Sequence, residues 1–141
     1  VAVIALPLAT TWIGDAVAFF AGTRWGKQKL APSISPNKTW LGLWSGLGAT
    51  TAVGVVWYFV TAPYLIGIPI NSFLVAGLFG AVLGISAQVG DLVISVFKRE
   101  AGVKDTGTIF PGHGGILDRI DSIAFTVPVS YTVITLLTKI Q

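Results

Sequence analysis

Four long apolar stretches alternate with polar or proline-rich connections along this chain. Val1 to about Gly22 is apolar except for Asp15, Thr39 to about Thr61 is apolar throughout, and Asn71 to Phe97 is broken only by Gln88, Gly90 and Asp91. The fourth stretch, about Arg119 to Ile140, contains Pro128 as an expected kink. A helix of about 20 residues crosses a hydrocarbon core roughly 30 Å thick. The pattern therefore predicts an all-α, polytopic membrane protein with about four spans. The third stretch is longer than one crossing needs, so it is either one long tilted helix or a helix broken near Gly90. Between the first two spans, Pro32 and Pro36 argue against a continuous helix, and Ser35 or Asn37 is the expected cap of the second span. The connection 62–70, A-P-Y-L-I-G-I-P-I, is short and uncharged.

Composition agrees with this partition. Only 11% of the 141 residues are charged and the mean hydropathy is +0.80. A soluble domain carries about 25% charged residues, so this chain cannot cover a water-exposed surface and belongs in a bilayer. There is no cysteine, hence no disulfide framework and no thiolate metal site. The net charge of +3 is concentrated in two connections. One holds Arg24, Lys27, Lys29 and Lys38, the other Lys98, Arg99, Lys104 and Arg119. They are alternate loops, so four spans place both on one side, the cytoplasmic side by the positive-inside rule. Basic residues at span ends do not form a nucleic-acid surface. The chain opens on Val1 inside an apolar run and contains no methionine. The expectation is a fragment that starts inside a larger membrane protein.

The densest polar segment is 95–121, S-V-F-K-R-E-A-G-V-K-D-T-G-T-I-F-P-G-H-G-G-I-L-D-R-I-D, which holds the only histidine. Glycines at 112, 114 and 115 strip side chains from around His113 and let backbone N–H groups approach an anion. Asp118 and Asp121 share a helix face, and carboxylates beside a glycine turn suit a hard cation carrying phosphates. The competing reading is first-turn acids that complement the helix dipole. Asp91, Ser95 and Lys98 recur at i, i+4 and i+7 as one polar stripe. Asp15 and Asp91 lie within apolar stretches, where an intramembrane carboxylate faces a cavity or a partner. Gly42-x-x-x-Gly46 and Gly80-x-x-x-Gly84 allow close helix approach, for internal packing or for an oligomer seam.

The spacing S-x-x-K-R-x-x-x-x-K-D-x-G-x-x-x-P-G-H-G-G-x-x-D-R-x-D resembles the signature of the phosphatidate cytidylyltransferase (CDP-diacylglycerol synthase) family. A second stretch, Asp15, A-F-F-A-G at 18–22, Gly26, Lys27 and S-P-N-K-T-W at 35–40, is similar to that family too. The family usually continues with Glu-Gly, where this chain has Leu41-Gly42. The resemblance implies transfer of a cytidylyl group from CTP to phosphatidic acid, giving CDP-diacylglycerol and pyrophosphate. It implies Mg²⁺ as cofactor, and allows a second cation. On that resemblance Asp91 and Asp118 are the leading metal ligands, with Asp121 and Asp105 secondary. Lys98, Arg99 and His113 join Asp91 and Asp118 as catalytic candidates. Lys38, Lys104, Arg119, Ser95, Gly114 and Gly115 are candidates for binding substrate. The resemblance also implies that residues 1–141 are the C-terminal catalytic part of an integral membrane cytidylyltransferase whose N-terminal spans are absent. Compactness points to a bacterial cytoplasmic (inner) membrane, the basic loops put the site on the cytoplasmic face, and the glycine spacings allow a homodimer. The alternative is a CTP-dependent polyprenol or phytol kinase. A non-enzymatic transporter or scaffold gives the phosphate-type loop no purpose.

Overall fold

The computed structural model describes residues 2–61, 70–104, 106, 107 and 117–140. Side chains within its first and last helices are described for 5–25 and 120–139. The elements are α1 (Ala2–Trp25), β1 (Lys29–Ala31), β2 (Ser35–Thr39), α2 (Trp40–Thr61), α3 (Phe73–Glu100) and α4 (Leu117–Ile140). All four helices are long and apolar enough to cross a membrane, as their hydrophobic pattern predicts. Side chains such as Phe20, Phe59, Leu74 and Leu78 lie on the surface, which a bilayer allows without a hydrophobic penalty.

One expectation needs correction. Ser35 and Asn37 do not cap α2, because both lie in β2. Thr39 takes that place, its Oγ1 accepting from the Gly42 N–H at 3.1 Å. A hydroxyl at this position satisfies one of the first unpaired donors of the helix. Of the two readings of the third span, the long continuous helix holds: α3 runs without interruption over 28 residues. It starts at the Ser72 cap, whose Oγ accepts from Val75 N–H at 3.3 Å. It ends in a Schellman turn, with Gly102 at φ +71°, Gly102 N–H bonded to Arg99 O and Val103 N–H to Lys98 O. The helix assignment of α4 continues through Pro128.

Small residues set the helix spacing. In α2 the buried positions Gly42, Gly46, Thr50 and Gly54 form an i, i+4 row. A Cβ on Gly42 would lie 2.7 Å from Ala18 O of α1, and one on Gly80 would collide with Thr50 O of α2. Both G-x-x-x-G pairs therefore serve packing within the chain, α1 to α2 and α2 to α3. These contacts make successive helices antiparallel: Gly22 meets Gly42, while Gly14 meets Thr50. Likewise Gly54 meets Ala76 and Gly84 meets Thr50.

The larger core side chains, Leu6, Ile70, Phe79 and Leu83 with Trp57, Val129 and Val133 around them, gather toward the uncharged end of the bundle. The opposite end collects the end of α1, the hairpin, the start of α2, the end of α3 and the start of α4. Trp25, Trp40 and Trp44 are exposed there, the placement of an interfacial aromatic belt.

Candidate active site

The polar end is organised around Thr39. Its side chain is buried, and Cβ atoms on Gly22, Gly26 or Gly42 would all crowd its Oγ1. Those three glycines thus make the space into which the base of the hairpin is set. Strand β1 pairs antiparallel with β2, in register Lys29 to Thr39 and Ala31 to Ser35 with an irregularity between. Ile34 N–H bonds to Ala31 O at 3.2 Å and closes the turn, with Pro32 directly after Ala31. This is a proline-compatible turn position.

Lys38, one residue before the buried threonine, points across to α3 and meets Asp91 Oδ2 at 2.7 Å. The ammonium is buried and the pair is an ion pair. The other carboxylate oxygen, Oδ1, accepts from Ser95 Oγ one turn along α3, at 3.3 Å. Asp91 is therefore held at both oxygens.

Its neighbour Gly90 brings α4 in. A Cβ there would lie 2.8–2.9 Å from Phe125, so the ring packs on bare α3 backbone. Asp121 precedes Phe125 by one turn, and the close approach carries it to the level of Asp91. Asp121 Oδ1 accepts from its neighbour Ser122 N–H at 2.7 Å.

Asp15 of α1, Lys38 of β2, Asp91 of α3 and Asp121 of α4 line one cavity of about 350 Å³. Asn37, Gln88 and Ser122 share that lining. Gln88 is anchored by its Nε2, which donates to Leu43 O of α2 at 3.0 Å. Asp15, Asp91 and Asp121 are near enough to repel one another, with Lys38 and Lys98 supplying the opposite charge. Among the described residues no three carboxylates converge tightly enough to hold an ion by themselves.

Of the residues singled out in the sequence, Lys38, Asp91 and Asp121 line the cavity, and Ser95 supports Asp91. Arg99 and Lys104 do not line it. Arg99 donates instead to two backbone carbonyls, Ile34 O through Nε at 3.1 Å and Val103 O through Nη1 at 3.2 Å. Asp105, His113, Gly114 and Gly115 lie outside the described residues, as do the side chains of Asp118 and Arg119. Asp15, expected from its place within a span to face a cavity or a partner, lines it too. The structure adds Asn37, Gln88 and Ser122: Asn37 stands in the S-P-N-K-T-W stretch and Gln88 interrupts an apolar one, while nothing in the local sequence marks Ser122.

The profile of the cytidylyltransferase family matches residues 1–137. The chain belongs to that family. Among relatives, the phosphatidate cytidylyltransferase of Rickettsia bellii is 39% identical over 128 residues, 91% of this chain and 55% of that protein. That of Haemophilus influenzae is 42% identical over 118 residues, covering 83% and 40%. The Bacillus subtilis protein of the same name is 43% identical over 125 residues, covering 89% and 44%. The chain thus spans about half the length of the curated relatives it matches. A solved structure described as an intramembrane enzyme for archaeal membrane lipids biosynthesis shares the fold. Its TM-score is 0.66 at 21% identity, over 92% of this chain and 76% of that one. Family membership and four membrane-length helices make this an integral membrane protein.

Proposed function

We propose that this chain is the C-terminal catalytic part of a phosphatidate cytidylyltransferase, joining CTP to phosphatidic acid with release of pyrophosphate. The observation that carries the reading is the single cavity uniting Asp15, Asp91, Asp121 and Lys38 at the polar end of a membrane bundle. The names of the bacterial relatives agree with it. A lipid phosphate at the headgroup level and a nucleotide from the aqueous side both have access to such a place.

The reaction forms a bond between a phosphate oxygen of the lipid and the α-phosphorus of CTP. It breaks the bond between that phosphorus and the bridging oxygen, whose electron pair leaves with pyrophosphate. A phosphomonoester has its second pKa at about 6, so the attacking oxygen is largely ionised near neutral pH and a general base is not required. His113 then acts as a hydrogen-bond donor to phosphate.

The main need is to bring two polyanions together. Lys38 lies at the cavity with its charge directed inward by the hairpin, and Ser95 fixes the rotamer of Asp91. Lys104 and Arg119 add phosphate contacts, and the backbone of Gly114 and Gly115 adds donors. The cavity's oxygen donors fit Mg²⁺, which binds through one or two carboxylates together with substrate phosphates. Asp91, Asp118 and Asp121 would hold it, with Asp105 and a second cation as additions. When bound it neutralises phosphate charge and polarises the α-phosphoryl group.

The site faces the cytoplasm across a bacterial inner membrane, because both basic loops lie at its end of the bundle. CTP labelled on its α and γ phosphates, supplied with phosphatidic acid and the membrane-reconstituted protein, tests the reaction. Pyrophosphate and a lipid carrying the α label are expected. CDP with a γ-labelled lipid would replace this reading by a lipid kinase.

A further inference from the structure

We propose that Arg99 is a positioning residue, which holds the β1–β2 hairpin, and with it Lys38, against the C-terminal end of α3. The proposal rests on the reading of the cavity as a cytidylyl-transfer site.

A two-stranded hairpin is marginal by itself in water, and here the strands have three and five residues. The base of this one is set by Thr39 among three glycines. Its tip has no such socket. Ile34, which closes the turn, instead gives its carbonyl to Arg99 Nε at 3.1 Å. Nη1 of the same guanidinium bonds to Val103 O at 3.2 Å, in the turn that ends α3.

The planar fork of arginine sends two donors in fixed directions, so one side chain joins two loops to the helix that carries it. Asp91 lies eight residues earlier on α3, about 12 Å at 1.5 Å per residue, and holds Lys38. The hairpin is thus tied to α3 twice, at its tip through Arg99 and near its base through Lys38. Arg99 lies outside the cavity lining. Its effect on the reaction runs through the place of Lys38.

This chain has no cysteine; any cysteine elsewhere in the full protein is first replaced by serine, so introduced thiols are unique. Hydrogen exchange at the 29–39 amides and CTP-dependent pyrophosphate release are measured on the full protein in lipid nanodiscs. In Arg99→Gln, exchange in the hairpin should speed up about tenfold, the equivalent of roughly 1.4 kcal/mol. Exchange in the middle of α2 and α3 should not change, and turnover should fall at least tenfold. Arg99→Lys should resemble Arg99→Gln, because a single ammonium cannot serve both carbonyls. The double variant Ile34→Cys/Arg99→Cys, joined by a short bis-thiol linker, should regain slow exchange. It should also return to within about threefold of wild-type turnover, although no guanidinium is present.

Unchanged hairpin exchange in Arg99→Gln would overturn the proposal. So would a linked pair with a protected hairpin that stays as slow as Arg99→Gln, because the guanidinium would then touch substrate itself. If the wild type released no pyrophosphate from CTP, the functional reading would fall, and the exchange arm alone would still uphold or sink the tie.

Discussion

Lys38 and Asp91 show how one residue pair serves both structure and chemistry. Although the Lys38 ammonium is buried, the two side chains are 23% and 32% exposed, so screening is partial and the pair contributes on the order of 1 kcal/mol to stability. On the proposed function its electrostatic value to two bound polyanions is larger, because charges preorganised at a reacting phosphate contribute about 10²- to 10³-fold each. Lys38→Met and Asp91→Asn are therefore expected to leave the melting temperature within a few degrees of wild type. Each should lower CTP turnover by about 100-fold or more. A variant that melts much earlier yet turns over normally would make the pair a structural one. Asp15→Asn tests the intramembrane carboxylate that the cavity sets beside Asp91 and Asp121: a loss of about tenfold or more is expected in initial rate. Full activity would leave Asp15 a bystander in the lining.

At the scale of elements, glycines decide where helices meet. Gly90 lets Phe125 lie on α3, and so brings Asp121 level with Asp91. Gly90→Ala should push α4 outward, cost about 1–3 kcal/mol of overpacking and lower turnover. Adding Phe125→Ala vacates the space, so the double variant should recover activity relative to Gly90→Ala alone. If it does not, the approach of α4 is not what Gly90 secures. Helix α2 supplies a control. A Cβ on Gly80 would collide with the backbone of Thr50, whereas one on Gly48 meets nothing within 4 Å. Thermal unfolding should show Gly80→Ala destabilised. Gly48→Ala should be stabilised by about 0.5–1 kcal/mol, because alanine loses less backbone freedom in a helix. A similar response at both positions would count against close α2–α3 packing.

For the whole molecule, the antiparallel order of the helices puts both basic loops at one end and Asn71 at the other. Cysteines at Gln28 and Thr106 should be labelled by an impermeant maleimide from the cytoplasmic face, and one at Asn71 from the opposite face. Labelling of positions 28 and 106 from opposite faces would sink the four-span arrangement. Among the described residues, close backbone packing at glycines sets the helix contacts in place of large interdigitating side chains.

Helix number, approximate span limits and the polar end were legible along the chain. Each depends on a local property: twenty apolar residues must form a helix in lipid to satisfy their own backbone, and charge stays at the interface. Family resemblance was equally legible, because fixed residues at fixed spacing are a one-dimensional signal. The hairpin was not, since two strands this short, interrupted by prolines, carry no alternation to read. The cap at Thr39 depends on a pocket formed by glycines of two helices. Only the fold decided that Asp15 joins Asp91 and Asp121, residues 76 and 106 positions away. Only the fold turned Arg99 toward Ile34, 65 positions back in the chain. Contacts between segments so far apart follow from how closely the helices pack, and no stretch of sequence states that by itself.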